Sequence, residues 1–131
     1  VTLSQYAELL FESPVYLNMF WNSVKITVPI VIGQIAVSTL AAYAFTVLKF
    51  KGKERLFFLY IMVMLLPLQV TLMPNYMVAD WLDITDTYLA IILPVIFNPF
   101  GVFLLRQFMK SIPDAYIEAA QIDGAGHGRI F

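Results

Sequence analysis

The stretch ITVPIVIGQIAVSTLAAYAFTVL, from Ile26 to Leu48, decides the fold class of this chain. It carries no charged residue, and at 1.5 Å per residue a helix of this length measures about 35 Å. The hydrocarbon core of a bilayer is about 30 Å thick, so such a helix crosses it with some tilt. Its apolar residues form a continuous run and do not alternate with polar residues at every second position, which favours a helix over a β-barrel strand.

Two further uncharged runs follow, from Leu56 to Ala79 and from Tyr88 to Leu105, and each contains two prolines. Of all residues, 60% are hydrophobic and 13% are charged, and the mean hydropathy is +0.79. Soluble domains are less apolar and more charged. We therefore predict an all-α integral membrane protein with three transmembrane helices, at about residues 26–48, 56–79 and 88–105.

Composition excludes several classes of function. The chain has no cysteine, so disulfides, thiolate catalysis and cysteine-ligated metals are ruled out. A net charge of -1 and the lack of a basic, aromatic-rich patch argue against nucleic-acid binding. His127 has no neighbouring ligand, and Gly124-Ala125-Gly126 lacks the lysine and the preceding strand of a phosphate loop. We expect no catalytic residue, no metal and no cofactor.

Charges in the connecting segments predict the orientation, because basic short loops stay in the cytoplasm. The linker before the second run and the segment after the third run are basic, through Lys49, Lys51, Lys53, Arg55, Arg106 and Lys110. The linker between the second and third runs carries only acidic charges, Asp80, Asp83 and Asp86. We therefore place the first linker and the C-terminal tail inside and the acidic loop outside.

Residues 1–19 are predicted to form an extracytoplasmic segment with a short helix. Val1 to Ser23 is too short and too polar to span, and Ser13-Pro14 is typical of a helix start. We expect this helix to lead into the first span through Asn22-Ser23. Because the chain begins without Met or a signal peptide and stops within apparently continuing structure, we expect it to be incomplete at both ends.

A short polar helix is predicted at about residues 112–124. Pro113 suits a first helical position, Asp114 complements the helix dipole, and Gly124 supplies a left-handed stop. The helix has an apolar stripe and a polar stripe. The apolar stripe consists of Ile112, Ala115, Tyr116, Ala119 and Ile122, and the polar stripe consists of Asp114, Glu118 and Gln121. Physical chemistry alone leaves two interpretations open, a helix lying on the lipid surface or one whose alanines let a partner approach its backbone.

The stretch Glu118-Ala119-Ala120-Gln121-Ile122-Asp123-Gly124 resembles the EAA-x-x-x-G signature of permease subunits of binding-protein-dependent (type I) ABC importers. Asp123-Gly124-Ala125 resembles the continuation common in that family. There the motif is a cytoplasmic coupling helix that docks in a cleft of the ATP-binding subunit. The resemblance thus implies ATPase coupling by Glu118, Ala119, Ala120, Asp123, Gly124, Ala125 and Gly126.

The resemblance runs collinearly from about Phe20 to Phe131 and points to the carbohydrate branch, specifically the maltose-type second membrane subunit. The similar stretches are Phe20 to Ser23, Leu40 to Phe45, Lys49 to Lys53, Asp86 to Tyr88, Leu104 to Phe108 and Ser111 to Pro113. It implies that residues 20–131 are a partial permease domain of a multi-pass protein in the cytoplasmic membrane of a bacterium or archaeon. It implies transport of a sugar or related polyol, without enzymatic activity. The implied partners are an ABC ATP-binding subunit, a second homologous permease, an extracytoplasmic substrate-binding protein and the lipid bilayer.

Four amide side chains lie in or near the spanning runs: Gln34, Gln69, Asn75 and Asn98. Polar groups in lipid face the protein interior, so these amides either line a sugar pathway or join helices by hydrogen bonds. The prolines Pro67, Pro74, Pro94 and Pro99 either kink helices near that pathway or are simply tolerated. Gly33, Gly101 and the alanines between Ala36 and Ala44 suit close helix packing.

The sequence disfavours two other classes of function. A secondary transporter or channel driven by an ion gradient is expected to carry an intramembrane acid or base, and the three runs contain none. A non-transporting membrane subunit is disfavoured by the EAA resemblance. The sequence does not identify the substrate, and it leaves open whether the pore is homodimeric or heterodimeric, although the resemblance favours a heterodimer.

Overall fold

A computed structural model describes residues 14–131. This part of the chain is built from helices, which are here numbered in chain order. They are α1 (Pro14–Thr46), α2 (Lys53–Met62), a 3-10 turn (Val63–Leu65), α3 (Leu68–Trp81), α4 (Leu89–Ile96), α5 (Pro99–Lys110), α6 (Asp114–Ile122) and α7 (His127–Ile130).

The first spanning helix is longer than its apolar run. α1 is described from Pro14 and continues without a break through Asn22-Ser23 to Thr46. The helix start predicted at Ser13-Pro14 lies at the edge of the described residues and stays a prediction. A separate short helix was expected within residues 1–19. Residues 14–19 belong instead to α1, and residues 1–13 lie outside the described part. The polar pair does not end the helix because Ser23 Oγ donates to the Met19 carbonyl 3.1 Å away, one turn back.

The second predicted span is not one straight helix. α2 and the 3-10 turn are followed at Leu66 by a break, and α3 leaves it at an angle of 103°. Pro67 explains the break, because a proline lacks an N–H and disfavours the helical conformation of the residue before it. Leu66 accordingly has an extended backbone, with ψ 125°. The span expected over 56–79 is thus two helices with a sharp bend between them, so at Pro67 the kinking alternative holds.

The third predicted span is a helix pair, α4 and α5, that together extends from Leu89 to Lys110. At the junction, Asn98 caps α5 by accepting a 2.9 Å hydrogen bond from the Phe100 N–H, and Pro99 occupies the first turn. By length and composition, Pro14–Thr46 and Leu89–Lys110 can each cross a membrane. The bent pair of α2 and α3 makes a third span if it is counted as one.

The core lies where α1 packs against α4 and α5. A Cβ atom added at Gly33 would lie 2.6 Å from Ile96 Cδ1, and one added at Gly101 would lie 2.5 Å from Ser38 Oγ. Ala42 is completely buried at the same interface. Small residues therefore let these helices approach closely, as is usual within membranes, and the packing role predicted for both glycines is confirmed.

Candidate functional site

The polar C-terminal helix, α6, begins at Asp114, two residues after the expected start at about 112. Ile112 completes the preceding turn, since its N–H bonds to the Met109 carbonyl at 3.2 Å. Pro113 is the N-cap and not the first helical residue, and its carbonyl accepts from the Tyr116 N–H at 3.1 Å. The helix therefore covers Asp114–Ile122 in place of the expected 112–124. Asp114 stands in its first turn, where a carboxylate favours the positive helix end.

Gly124 ends α6 in a left-handed conformation, with φ +79°. The Gly124 N–H bonds to the Gln121 carbonyl at 3.0 Å, and the Ala125 N–H bonds to the Ala120 carbonyl at 2.9 Å. These two bonds form a Schellman motif, which satisfies the last helical carbonyls. A Cβ at Gly124 would meet no atom within 4 Å, so the site requires glycine for its backbone angle and not for space. The predicted left-handed stop is confirmed.

The apolar stripe of α6 does not pack on the rest of the described chain. Tyr116 is 71% exposed and Ile122 is 85% exposed, while Glu118 and Ala119 are also exposed. The half-buried positions of the helix are Ile117 and Ala120. The described chain therefore leaves three kinds of side chain on α6 exposed: the acidic Glu118, the apolar Tyr116 and Ile122, and the small Ala119.

Two cavities separate α6 from α1. One, of about 410 Å³, is mainly apolar and lies between Tyr43 of α1, Met109 of α5 and the Ile117–Ala120 face of α6. The other, of about 160 Å³, lies between the basic linker and the acidic side of α6. It is lined by Thr46, Val47, Lys49, Lys53, Asp114, Ile117, Glu118 and Gln121. Opposite charges across the second cavity favour the observed position of the helix.

Arg106 connects three helices next to this segment. Its side chain is only 3% exposed although it lies in the last part of α5. Nε donates to the Phe45 carbonyl of α1 at 3.2 Å, and Nη2 donates to Glu54 Oε1 of α2 at 2.6 Å. The guanidinium carbon lies 3.7 Å from the centre of the Phe57 ring, in cation–π geometry. In the sequence, Arg106 contributes to the predicted orientation and to the similar stretch Leu104 to Phe108. Its spacing of four from the buried Val102 is the signal that it faces the core.

A second basic side chain, that of Lys53, bonds to the C-terminal end of α1. Lys53 Nζ donates to the Thr46 carbonyl at 3.0 Å and to the Leu48 carbonyl at 3.2 Å. Cations stabilise the negative end of a helix dipole, so Lys53 and Arg106 both support this end of α1. The hydrogen bond from Arg106 lowers the pKa of Glu54 below its ordinary value, and the charges of Arg106, Lys110 and Lys53 act in the same direction against partial desolvation.

The segment beyond Gly124 returns to α1. The Tyr43 hydroxyl lies 3.0 Å from His127 Nδ1 and 3.4 Å from the His127 carbonyl oxygen. The Phe131 ring meets the Tyr43 ring edge to face, with centroids 5.3 Å apart. His127, to which the sequence assigned no role, is therefore a contact between the end of the EAA region and the first spanning helix.

This site combines a short capped helix, an outward EAA face and direct contacts to the spanning helices. Residues 34–131 match the family described as binding-protein-dependent transport system inner membrane component. The chain belongs to this family. The resemblance stated from the sequence is thereby confirmed.

Curated relatives of this inner-membrane component are permease proteins of several transport systems. The chain is 33% identical to the arabinooligosaccharides transport system permease protein AraQ of Halalkalibacterium halodurans, over 100% of this chain and 47% of the relative. It is 38% identical to the osmoprotective compounds uptake permease protein GgtD of Synechocystis, over 98% of this chain and 44% of the relative. It is 37% identical to the sn-glycerol-3-phosphate transport system permease protein UgpE of Yersinia enterocolitica, over 86% of this chain and 40% of the relative. The chain thus spans less than half the length of these relatives, and no solved structure matches it.

The four amides of this inner-membrane component occupy different surroundings. The side-chain nitrogen of Gln34 is half-buried beside Gly101, at the contact between α1 and α5. Asn98 uses its amide oxygen to cap α5. Gln69 is exposed just after the bend, and Asn75 lines a cavity of about 180 Å³ between α3 and α4. The structure therefore gives Asn98 a structural role, although its side chain is exposed like those of Gln69 and Asn75.

Proposed function

We propose that this chain is part of the permease subunit of an ATP-driven ABC importer, which translocates a sugar or related polyol across the cytoplasmic membrane. The observation that carries the proposal is the EAA segment, a short helix with a left-handed glycine stop and an exposed face, placed directly after a membrane-capable helix. The names of the curated relatives support the substrate class, since they include oligosaccharide and glycerol-phosphate permeases.

The proposed ATPase contact comprises Glu118, Ala119, Ala120, Asp123, Gly124, Ala125 and Gly126, of which Ala120 and Ala125 are half-buried and the others are exposed. Support comes from exposure, because Glu118, Ala119 and Asp123 are not covered by the described chain. Small side chains at Ala119 and Gly126 would let a partner approach the backbone. In this mechanism nucleotide binding elsewhere shifts the permease between two conformations, and the subunit performs no covalent chemistry.

The proposed topology is multi-pass, with the basic linker and the EAA segment inside and the acidic loop outside. Its proposed partners are an ATP-binding subunit, a second homologous permease and an extracytoplasmic substrate-binding protein. The amount of exposed apolar surface supports contacts with lipid and with a second membrane subunit, and Leu65, Leu68 and Trp81 are examples.

We further propose that Gln34, Gln69, Asn75 and Asn98 lie along the substrate pathway. Support is strongest for Gln69 and Asn75, whose exposed amides follow the bend at Pro67. A broken helix inside a membrane is tolerated where it lines a cavity or is covered by protein. Amides can bind sugar hydroxyls by donating and accepting hydrogen bonds.

The test uses the full-length permease, reconstituted in vesicles with its partner permease, ATP-binding subunit and binding protein. ATP-dependent sugar uptake is expected in the wild type, with loss of uptake in Glu118→Lys. The matched control is Lys51→Gln, which changes an exposed charge on the same proposed side of the membrane but outside the EAA segment. Uptake that follows an ion gradient and ignores ATP would instead identify a secondary transporter. Full uptake in Glu118→Lys with the ATPase still bound would contradict the proposed coupling.

A further inference from the structure

We propose that Arg106 is a positioning residue that joins the cytoplasmic ends of α1, α2 and α5 into one body, so that displacement of the EAA segment moves all three helices together. This inference rests on the proposed function for its consequence in transport. Its structural basis is the set of contacts that Arg106 makes on two other helices.

Three different parts of the guanidinium group are used at once. Nε bonds to the Phe45 carbonyl, Nη2 bonds to Glu54, and the flat face lies 3.7 Å from the centre of the Phe57 ring. A guanidinium group is planar and holds its donors at fixed angles, so these contacts restrain the direction as well as the distance between helices. A lysine at this position has no comparable planar fork.

Arg106 also lies close to the EAA segment along the chain. Only one helical turn of α5 remains after it, ending at Lys110, and Ser111 to Pro113 then lead into α6. That connection is itself held by local bonds, since the Ser111 N–H and hydroxyl both bond to the Phe108 carbonyl. Force applied to α6 therefore reaches Arg106 through a short and hydrogen-bonded path.

Orientation alone does not account for the environment of Arg106. A basic residue that only marks the cytoplasmic side needs no protein partner and can extend to water, and Lys110 in the same helix is exposed. Arg106 is buried instead, although burying a charge is costly without compensating partners. Its side chain is placed to connect helices.

The test compares variants that remove the contacts in steps, in the full-length importer. Glu54→Gln removes the ion pair but keeps the bond to Phe45 and the ring contact, so we expect a small effect. Arg106→Lys keeps the charge but loses the planar fork, and we expect about a tenfold rise in ATP hydrolysed per substrate imported. Arg106→Gln should raise this ratio further, and Lys110→Gln, on the same helix, should leave it unchanged.

A second measurement does not depend on transport. Spin labels at Arg55→Cys on α2 and Ala115→Cys on α6 report the distance between the two helices, at positions that are both exposed. We expect a narrow distance distribution with native Arg106 and a broad one with Arg106→Lys, in the presence and absence of nucleotide. This measurement remains decisive if Arg106→Gln fails to fold. It also remains decisive if the wild type shows no ATP-driven uptake, because that result would refute only the proposed function. A wild-type distance distribution in Arg106→Lys would overturn the inference, as would a wild-type coupling ratio in an active importer.

Discussion

Replacing Gly124 by alanine tests whether the left-handed turn of the EAA segment matters. Gly124 has φ +79°, and a Cβ there would meet nothing within 4 Å. The substitution therefore adds no steric contact within the described chain, and its cost comes from the backbone angle alone. That cost is about 1–2 kcal/mol for an L-residue, which lowers the fraction of molecules with the native turn by roughly fivefold to thirtyfold if the turn is marginally stable. Gly124→Asn should cost less, because asparagine enters this region more readily.

The chain offers a matched control two residues further on. Gly126 has φ -75°, a value open to any residue, and a Cβ there would also meet nothing within 4 Å. Gly126→Ala thus adds the same methyl group in the same connection without backbone strain. The difference between the two alanine variants isolates the effect of the positive φ.

The assay measures the affinity of the full-length protein for the proposed ATP-binding subunit in detergent, together with the proposed ATP-driven uptake in vesicles. Gly124→Ala should weaken both, and Gly124→Asn should have an intermediate effect. Gly126→Ala should weaken both less than Gly124→Ala, because it adds the same methyl group to the proposed contact without backbone strain. Equal wild-type behaviour of both alanine variants would refute the requirement for the left-handed turn. An equal loss in both would show that the partner surface rejects a methyl group, so that contact and not backbone angle explains the glycine.

Three further predictions concern the connection between helices. Ser38 Oγ is buried with no hydrogen-bond partner in the described structure, so Ser38→Ala should raise stability by about 1 kcal/mol and increase the Tm in detergent. Ser38→Ala should also lessen the loss of stability caused by Gly101→Ala, because the new Cβ at position 101 would lie 2.5 Å from the Ser38 oxygen. A lower Tm in Ser38→Ala would contradict this account. Tyr43→Phe removes the hydroxyl contact with His127 and should destabilise by about 1 kcal/mol, as measured by Tm. His127→Ala should cost less in the Tyr43→Phe background than in the wild type, because only the ring contact at 6.1 Å then remains to be lost. Because the folded state lowers the pKa of Glu54, its ionised carboxylate stabilises the fold above the unfolded-state value near 4.5, and this contribution is lost as pH falls through the lower folded value. The Tm difference between wild type and Glu54→Gln should therefore be constant at neutral pH and shrink in acid, whereas a difference that grew in acid would contradict the sign.

Much of the architecture could be predicted because it depends on local properties of the chain. Membrane-capable helices were recognisable from Ile26 to Leu48 and from Tyr88 to Leu105, since an uncharged run of sufficient length is enough to identify a candidate span. The stop at Gly124 was also predictable, because a glycine after a short helix supplies the left-handed residue of a C-terminal cap. The EAA pattern pointed to the correct family for the same reason, as its residues are contiguous.

Other features depended on how local preferences compete. Asn22-Ser23 was expected to connect a short helix to the first span, but it lies inside one continuous helix, whereas the helix breaks at Pro67. A serine can bond back to its own helix, whereas a proline removes a backbone donor and restricts the residue before it. Pro74 and Pro94 remain inside helices, so the presence of a proline did not by itself determine the bend.

The tertiary structure alone decided which polar residues hold the helices together. Arg106 is 61 positions from Phe45 and 52 positions from Glu54, and nothing in the local sequence identifies either residue as its partner. The same holds for Tyr43 and His127, which are 84 positions apart. Hydrophobic length and loop charge act within one segment and are visible in the sequence, but a buried cation acquires its partners only when separate segments pack. The sequence therefore identified the EAA helix, and the packing showed how that helix is connected to the membrane spans.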